Sequence, residues 1–173
     1  MSQQAPGKGV GRIFMIVAWC AGLYLATQFF GRWEQRQQNP NTEVTSQQGE
    51  GYIEVKLLGN VQGHFVASGR INNVPVEFLL DTGATDVAVP LDLARQLALP
   101  KGLPVTLSTA NGRTQGYQTR IDRLQLGAIV LRDVRAVAAP GLDGEQVLLG
   151  MSALNKLEFT QRGGTMLLRQ TTN

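Results

Sequence analysis

The chain has 173 residues, of which 43% are hydrophobic and 17% charged, so it can bury the core of one ordinary domain and carry an appendage. Its single cysteine, Cys20, excludes a disulfide framework or a cysteine-based zinc site, and its single histidine, His64, argues against a histidine metal cluster. The net charge of +3 comes from scattered side chains rather than a basic stripe with interleaved aromatics, so no nucleic-acid partner is expected. We also predict no cofactor and no metal.

An uncharged apolar segment lies near the amino terminus. Residues 13–30 read IFMIVAWCAGLYLATQFF and stand between Arg12 and Arg32. A helix of this length is about 27 Å long, close to the roughly 30 Å hydrocarbon core of a bilayer. We therefore predict a single transmembrane helix over 13–30, after a short basic amino terminus at 1–12. The alternative is a cleaved signal peptide, but the apolar run is longer than usual and no small-x-small cleavage pattern follows it.

The charges that flank this segment give almost no preference for one orientation. Lys8 and Arg12 precede it, and Arg32 and Arg36 follow it. Because positive residues favour the cytoplasmic side, the two pairs nearly cancel, and only the amino terminus itself favours an inside location. Our interpretation is a bacterial inner-membrane protein with its carboxyl-terminal domain in the periplasm.

A polar segment separates the apolar run from the rest of the chain. Residues 31–50 contain five glutamines, two asparagines and almost no aliphatic side chains. Such a composition cannot repay the entropy of ordering, so we predict a flexible stalk over 31–50. The folded domain is then expected at 51–173.

Within that domain, short apolar strands alternate with turn residues. Residues 105–109 and 117–121 flank Asn111-Gly112, a dipeptide that adopts positive φ readily, so a projecting hairpin is expected there. Short helices are expected at 92–99 and 151–157, after a proline and a glycine respectively. We predict an all-β domain with one or two short helices.

The segment FLLDTGATD, residues 78–86, carries the chemistry. Asp81 ends an apolar strand, where a carboxylate must be paired, share its proton or accept hydrogen bonds. The alternative is that Asp81 only caps a turn through its side chain. The context favours a site, because a second strand and a helix follow, and Val147-Leu148-Leu149-Gly150 with another helix comes about 65 residues later.

On FLLDTGATDVAVP, the hairpin TANGR and VLLGMSAL, the sequence resembles the retropepsin-like aspartic proteases, in particular bacterial membrane-anchored members with an amino-terminal transmembrane helix. The resemblance covers roughly residues 60–170. It implies an all-β acid-protease fold, a homodimer with one Asp-Thr-Gly loop from each chain, and hydrolysis of protein or peptide substrates by an activated water. The hairpin has fewer glycines than viral flaps, so flap mobility is not carried over.

The resemblance also implies a role for Asp81 that chemistry supports. One carboxylate cannot take a proton from water and protonate the scissile carbonyl oxygen in the same step. In a two-fold dimer, two copies of Asp81 would meet on the axis and share one proton. Thr82, Gly83 and Ala84 would support this catalytic loop, with Thr82 holding the two loops together across the axis.

Further predicted site residues fall into two groups. Tentative substrate contacts are Asp86 in the loop and Thr109, Ala110, Asn111 and Gly112 in the hairpin, which would act as a flap; the structural wall behind the loop is Leu148, Leu149 and Gly150. Asp86 is equally compatible with a solvent-facing acid, and the less favoured alternative for the hairpin is a plain surface hairpin.

Two functions remain open at this level. The first is a membrane-anchored aspartic endopeptidase that works as a homodimer, with the membrane contacted through residues 13–30. The second is a non-proteolytic dimeric peptide-binding or assembly module of the same fold, in which Asp81 is structural. The intact Asp-Thr-Gly-Ala, apolar-apolar-Gly and hairpin motifs favour the enzyme.

Overall fold

The structure is a computed structural model that describes residues 8–109, 112–140, 142 and 146–172. The chain divides into two compact units, Met1–Gln37 and Gln38–Asn173. The described part of the first unit belongs to one helix, α1 (Lys8–Gln38). Over Gly11–Gln38 this helix is long and apolar enough to cross a membrane by length and composition.

Helix α1 is longer than the sequence pattern predicted. It continues to Gln38, so residues 31–38 of the predicted stalk are helical. Glutamine, glutamate and arginine are good helix formers, and a helix that has already nucleated in the apolar run gains one hydrogen bond for each residue it adds. The predicted flexible stalk therefore does not begin at residue 31.

The second unit is mostly β, which confirms the predicted fold class. Among the described residues of this unit, two short helices occur, α2 (Leu91–Gln96) and α3 (Met151–Leu154). Its strands are β1 (Ser46–Gly49), β2 (Tyr52–Leu58), β3 (Phe65–Ile71), β4 (Val74–Leu80), β5 (Val87–Pro90), β6 (Pro104–Thr109), β7 (Gly112–Leu126), β8 (Ile129–Ala139), β9 (Gln146–Leu149), β10 (Glu158–Arg162) and β11 (Thr165–Thr171).

The strands form two sheets. The smaller is antiparallel with the order β1-β2-β11-β10, and the larger is mixed with the order β3-β4-β9-β5-β8-β7-β6. In the larger sheet β9 runs parallel to β4, with Leu80 opposite Leu149, and also pairs with β5. Because β4 and β5 flank the Asp81 loop, β9 lies between the two strands that carry the loop.

Apolar side chains from both sheets share one core. The smaller sheet contributes Val55 and Leu168, and the larger contributes Phe78, Ile121 and Leu124, all at most 1% exposed. Burying side chains of this size is the main source of stability in a domain of this length. The core therefore joins the two sheets into one unit behind the loop.

The predicted hairpin is present, and both predicted helices are shorter than expected. Strands β6 and β7 pair from Pro104 opposite Tyr117 to Thr109 opposite Gly112, while Ala110 and Asn111 lie outside the described residues.

Helix α2 ends before Ala98, which adopts a positive φ of 49° and precedes Pro100 by two residues. Positive φ is incompatible with continuing a right-handed helix.

Residues 39–50 belong to the folded unit, which corrects the predicted stalk and the domain boundary at residue 51. Asn41 is 5% exposed, and its amide group donates to the carbonyls of Leu58 (2.8 Å) and Val66 (2.7 Å) while accepting from the amide of Leu58 (2.7 Å). Asn39 is 2% exposed and donates to Ser68 and Glu77. Polar side chains make these contacts, so the lack of aliphatic side chains in this segment did not indicate that it is flexible.

We expect Asn41→Ala to destabilise the domain by about 2–3 kcal/mol, because it leaves buried backbone groups of β2 and β3 without partners. Chemical denaturation of residues 38–173 measures this, with Thr42→Ala at the exposed neighbouring position as the matched control. A fragment that begins at residue 51 should lose at least as much stability. Equal stability of all these proteins would show that the asparagine contacts do not matter.

Candidate active site

The loop Asp81–Asp86 joins β4 to β5 at the end of the mixed sheet. The amide of Asp81 donates to the carbonyl of Leu149 (3.2 Å), so the contact between β4 and β9 continues into the loop. Asp81 is half-buried, whereas Thr82 and Gly83 are exposed. The strands thus fix the base of the loop and leave its tip accessible.

Hydrogen bonds inside the loop orient the Asp81 carboxylate. The amide of Gly83 donates to Asp81 Oδ1 (2.8 Å), and the amide of Ala84 donates to the carbonyl of Asp81 (3.2 Å). A side chain that accepts a bond from the backbone two residues ahead makes a tight Asx turn. The turn-capping contact predicted as an alternative is therefore present, and it fixes the carboxylate at the accessible end of the loop.

The beginning of α3 supports the loop from behind. The amides of Met151 and Ser152 donate to the carbonyls of Ala84 (2.8 Å) and Thr85 (2.9 Å). A Cβ atom on Gly150 would lie 2.7 Å from the carbonyl oxygen of Ala84 and closer still to that of Asp86. Glycine is thus required where β9 enters α3, because a side chain would separate α3 from the loop.

Ser152 and Arg135 also hold the loop, although the sequence did not single them out. Ser152 Oγ accepts from the amide of Val87 (2.9 Å) and donates to the carbonyl of Arg135 (2.7 Å). Arg135 Nε donates to Asp86 Oδ1 (2.6 Å). Ser152 stands two residues after the apolar-apolar-Gly motif, which is a usable signal, but nothing local marks Arg135, whose partners are distant in sequence.

Two of the predicted wall residues, Leu148 and Leu149, lie on opposite faces of β9. Leu149 is buried and stands opposite Leu80, while Leu148 is half-buried because successive strand residues point to opposite faces. Val89 and Leu154 are fully buried in the core. Leu149 and Gly150 therefore contact the loop directly, through Asp81 and Ala84 respectively.

The predicted substrate contacts are only partly placed. Asp86 is engaged by Arg135 within the chain, so its contact with substrate stays a prediction. Thr109 ends β6 and Gly112 begins β7, and Ala110 and Asn111 fall outside the described residues. Across the part of the chain that the structure describes, no group of three or more His, Cys, Asp or Glu side chains could hold a metal ion.

An open groove lies between α2 and the base of the β6–β7 hairpin. It is lined by ten residues that include Arg95, Lys101 and Tyr117, and no residue of the Asp81–Asp86 loop is among them. The groove therefore does not enclose the carboxylate. Within one chain, Asp81 stands on an accessible loop rather than at the bottom of this groove.

The family follows from a comparison with known families. Residues 67–156, a little over half of the chain, match the family described as "gag-polyprotein putative aspartyl protease". The match contains the Asp81 loop, the β6–β7 hairpin and the Gly150 motif. The chain belongs to this aspartyl protease family.

The chain is also similar to individual proteins. The chain is 36% identical over 115 residues to an uncharacterised Sinorhizobium protein encoded in the 5′ region of cobV, and 29% identical over 108 residues to an uncharacterised protein of Rickettsia prowazekii. It spans about half the length of these curated relatives, 49% and 46%. A solved retropepsin-like aspartic protease from Rickettsia conorii aligns with a TM-score of 0.60 at 24% identity, over 75% of this chain and 97% of that one. This likeness confirms the predicted retropepsin-like fold.

We expect Gly150→Ala to disrupt the loop, because the added Cβ collides with backbone carbonyls that cannot move independently. The free energy of unfolding should fall by about 1–3 kcal/mol, as is typical of overpacking. Chemical denaturation of the full chain measures it, with Gly31→Ala as the control, since no atom lies within 4 Å of the new Cβ there. Wild-type stability of Gly150→Ala would contradict the close approach.

Proposed function

We propose that this protein is a membrane-anchored aspartic endopeptidase that works as a homodimer, with the attacking water held between two Asp81 carboxylates. The observation that carries the proposal is the Asp81 carboxylate itself, fixed by the Gly83 amide on an accessible loop in a chain of the aspartyl protease family. Protein or peptide is the substrate class.

The chemistry requires a second carboxylate. The ionised Asp81 takes a proton from the water while the water oxygen attacks the scissile carbonyl carbon. The protonated Asp81 of the partner subunit gives its proton to the carbonyl oxygen. In the tetrahedral intermediate, the C–N bond breaks as the amide nitrogen gains a proton and a hydroxyl proton returns to the carboxylate pair. The pair then again shares one proton.

The exposure of the loop tip supports a partner at this position. Thr82 and Gly83 are exposed in the single chain, as expected for residues that face a second loop and the substrate. Thr82 would hold the two loops together across the axis, and Gly83 would let the substrate backbone approach closely. The carbonyl of Ala84 accepts a hydrogen bond from the amide of Met151 and so would keep the loop attached to α3.

The β6–β7 hairpin is proposed as the flap. It projects from the mixed sheet, with Thr109 opposite Gly112 as the last described pair, and Ala110 and Asn111 lie between these two residues in the sequence. A flap that closes over an extended peptide would exclude water and offer backbone groups to the substrate. Asp86 would contribute to the same interaction through its carboxylate while paired with Arg135.

Membrane attachment through residues 13–30 would assist the assembly. Two chains tethered to one bilayer meet at a raised effective concentration, so even a weak dimer would form. We further propose a bacterial inner membrane with the domain in the periplasm. A reporter fused after Asn173 tests this, because a periplasm-dependent reporter should be active and a cytoplasm-dependent one silent.

The alternative function is a non-proteolytic dimeric peptide-binding or assembly module. The observation in its favour is the Asx turn, because the bond from Gly83 to Asp81 would stabilise the loop even without catalysis. The two functions differ in the effect of Asp81→Asn. This change would abolish cleavage in the enzyme, whereas a binding module would have no cleavage to lose.

We expect the full chain in detergent micelles or nanodiscs to cleave a mixed peptide library, and Asp81→Asn to lower the rate by about 10²–10⁴-fold, as for loss of a general acid–base group. The assay runs from pH 3 to 8, where a shared-proton pair should give a bell-shaped profile. Asp92→Asn is the control, since Asp92 is an exposed carboxylate outside the loop. Equal cleavage by wild type and Asp81→Asn would contradict the aspartic mechanism.

A further inference from the structure

One face of the mixed sheet points away from the core that joins the two sheets. Residues that stand opposite each other in a sheet share a face, and successive residues of a strand alternate between faces. Leu79 stands opposite Leu148, Leu148 opposite Ala88, and Ala88 opposite Val137. These four apolar side chains therefore share one face, and none of the four belongs to the core. We call it the loop face, because Asp81 follows Leu79 by two residues.

An ion pair between Asp86 and Arg135 lies at the border of the loop face. Arg135 precedes Val137 by two residues on β8, so its side chain is on this face. Its Nε donates to Asp86 Oδ1 (2.6 Å) at the start of β5. The loop crosses from β4 past the end of β9 to β5, so a peptide that lies along it from Asp81 reaches this ion pair.

The two charges of the ion pair are not equally accessible. The Arg135 side chain is 63% exposed, whereas the Asp86 side chain is 23% exposed. A ligand that approaches from solvent therefore meets the guanidinium first. Within the described part of the chain, the guanidinium hydrogen bonds only through Nε, and Nη1 and Nη2 carry further N–H donors. These donors are accessible to a carboxylate of a bound peptide.

The backbone of Arg135 is fixed to the same loop. Its carbonyl accepts from Ser152 Oγ (2.7 Å), which also accepts from the amide of Val87 (2.9 Å). The bond from Nε to Asp86 holds the other end of the side chain. A side chain that is already held in place loses less conformational entropy when it binds a ligand. Arg135 is therefore preorganised for binding.

The neighbouring ion pair has no such preference of sign. Arg120 stands opposite Arg135 on β7, and its Nη1 donates to Asp133 Oδ1. The side chains of Arg120 and Asp133 are exposed to a similar extent, 58% and 65%. A ligand would meet a cation and an anion together at this pair. The unequal exposure of Arg135 and Asp86 thus makes the border of the loop face positive.

We propose that Arg135 is a specificity-determining residue whose guanidinium binds an acidic side chain of the substrate, about two to four residues from the scissile bond. The proposal rests on the proposed function and narrows the substrate class of the same site. In the order β4-β9-β5-β8, the strand of Arg135 lies about 14 Å from the strand that leads to Asp81. An extended peptide covers this distance in about four residues, and fewer suffice because Arg135 reaches back to Asp86.

Two-fold symmetry would apply this preference on both sides of the scissile bond. In the proposed homodimer, a peptide that crosses the axis meets one Arg135 from each chain. An acidic side chain on either side would find a guanidinium, and a basic one would be repelled. Peptides with an acid on both sides should therefore be cleaved better than peptides with one.

A peptide series tests the sign of the preference with the full chain in nanodiscs. A peptide that the wild type cleaves is made with Glu, Gln or Lys at each position in the proposed range, on both sides of the cut. At one or more of these positions kcat/KM should fall from Glu to Gln and again from Gln to Lys. Each step should be about two- to fivefold, as for a partly exposed charge pair. High salt should reduce both steps.

Two neutral variants separate specificity from support of the loop. Arg135→Gln and Asp86→Asn break the same ion pair but leave opposite charges behind. Arg135→Gln should make the Lys peptide the best substrate, and Asp86→Asn should increase the preference for Glu. Arg132→Gln is the matched control, because it removes an exposed charge from the same strand and should keep the wild-type order. Unfolding midpoints show whether each variant is folded.

Peptide binding gives a second measurement that does not depend on catalysis. The Asp81→Asn chain should bind the peptides without cleaving them, so fluorescence anisotropy with labelled Glu, Gln and Lys peptides gives their Kd values. The Glu peptide should bind most tightly and the Lys peptide most weakly. Combining Asp81→Asn with Arg135→Gln should reverse this order.

The outcomes distinguish this proposal from the proposed function. Equal kcat/KM and equal Kd for the three peptides at every position would overturn the role of Arg135, while cleavage that depends on Asp81 would stand. The same loss for all three peptides in Arg135→Gln and Asp86→Asn would assign the ion pair to loop support alone and would also overturn it. If the wild type binds the Glu peptide best but cleaves nothing, the role of Arg135 holds and the proposed endopeptidase fails. Absence of any binding or cleavage would contradict both.

Discussion

The Asp81–Asp86 loop keeps its shape because backbone groups at the start of α3 bind its carbonyls, and this contact requires Gly150. A residue with a Cβ atom there would collide with the carbonyls of Ala84 and Asp86. The parallel pairing of β4 with β9 brings the two segments together, and Ser152 ties the loop to β5 and β8. The position of the carboxylate thus depends on the sheet topology and on one glycine.

Under the proposed mechanism, one chain would contain half of the active site. A single Asp81 is fixed on an accessible loop, and acid–base hydrolysis of a peptide needs two carboxylates in different protonation states. A second copy can supply the other if two loops meet on a two-fold axis.

Much of the fold could be predicted from the sequence, because its signals are local. The hairpin follows from Asn111-Gly112, the strand before Asp81 from an apolar run, and the family from short motifs around Asp81 and Gly150. The parts that could not be predicted depend on distant contacts. Asn41 is buried through amide hydrogen bonds rather than apolar area, and Arg135 acts on Asp86 from another strand, so neither has a local signature.

The most direct test of a site shared by two chains is a mixing experiment. Wild-type chains and Asp81→Asn chains are reconstituted together at a constant total amount, and peptide cleavage is measured as the wild-type fraction changes. If each dimer needs two intact Asp81 residues, random pairing leaves about one quarter of the activity at equal proportions, and activity follows the square of the wild-type fraction. A linear dependence, with about half of the activity remaining, would show that each chain acts alone and would contradict the shared site.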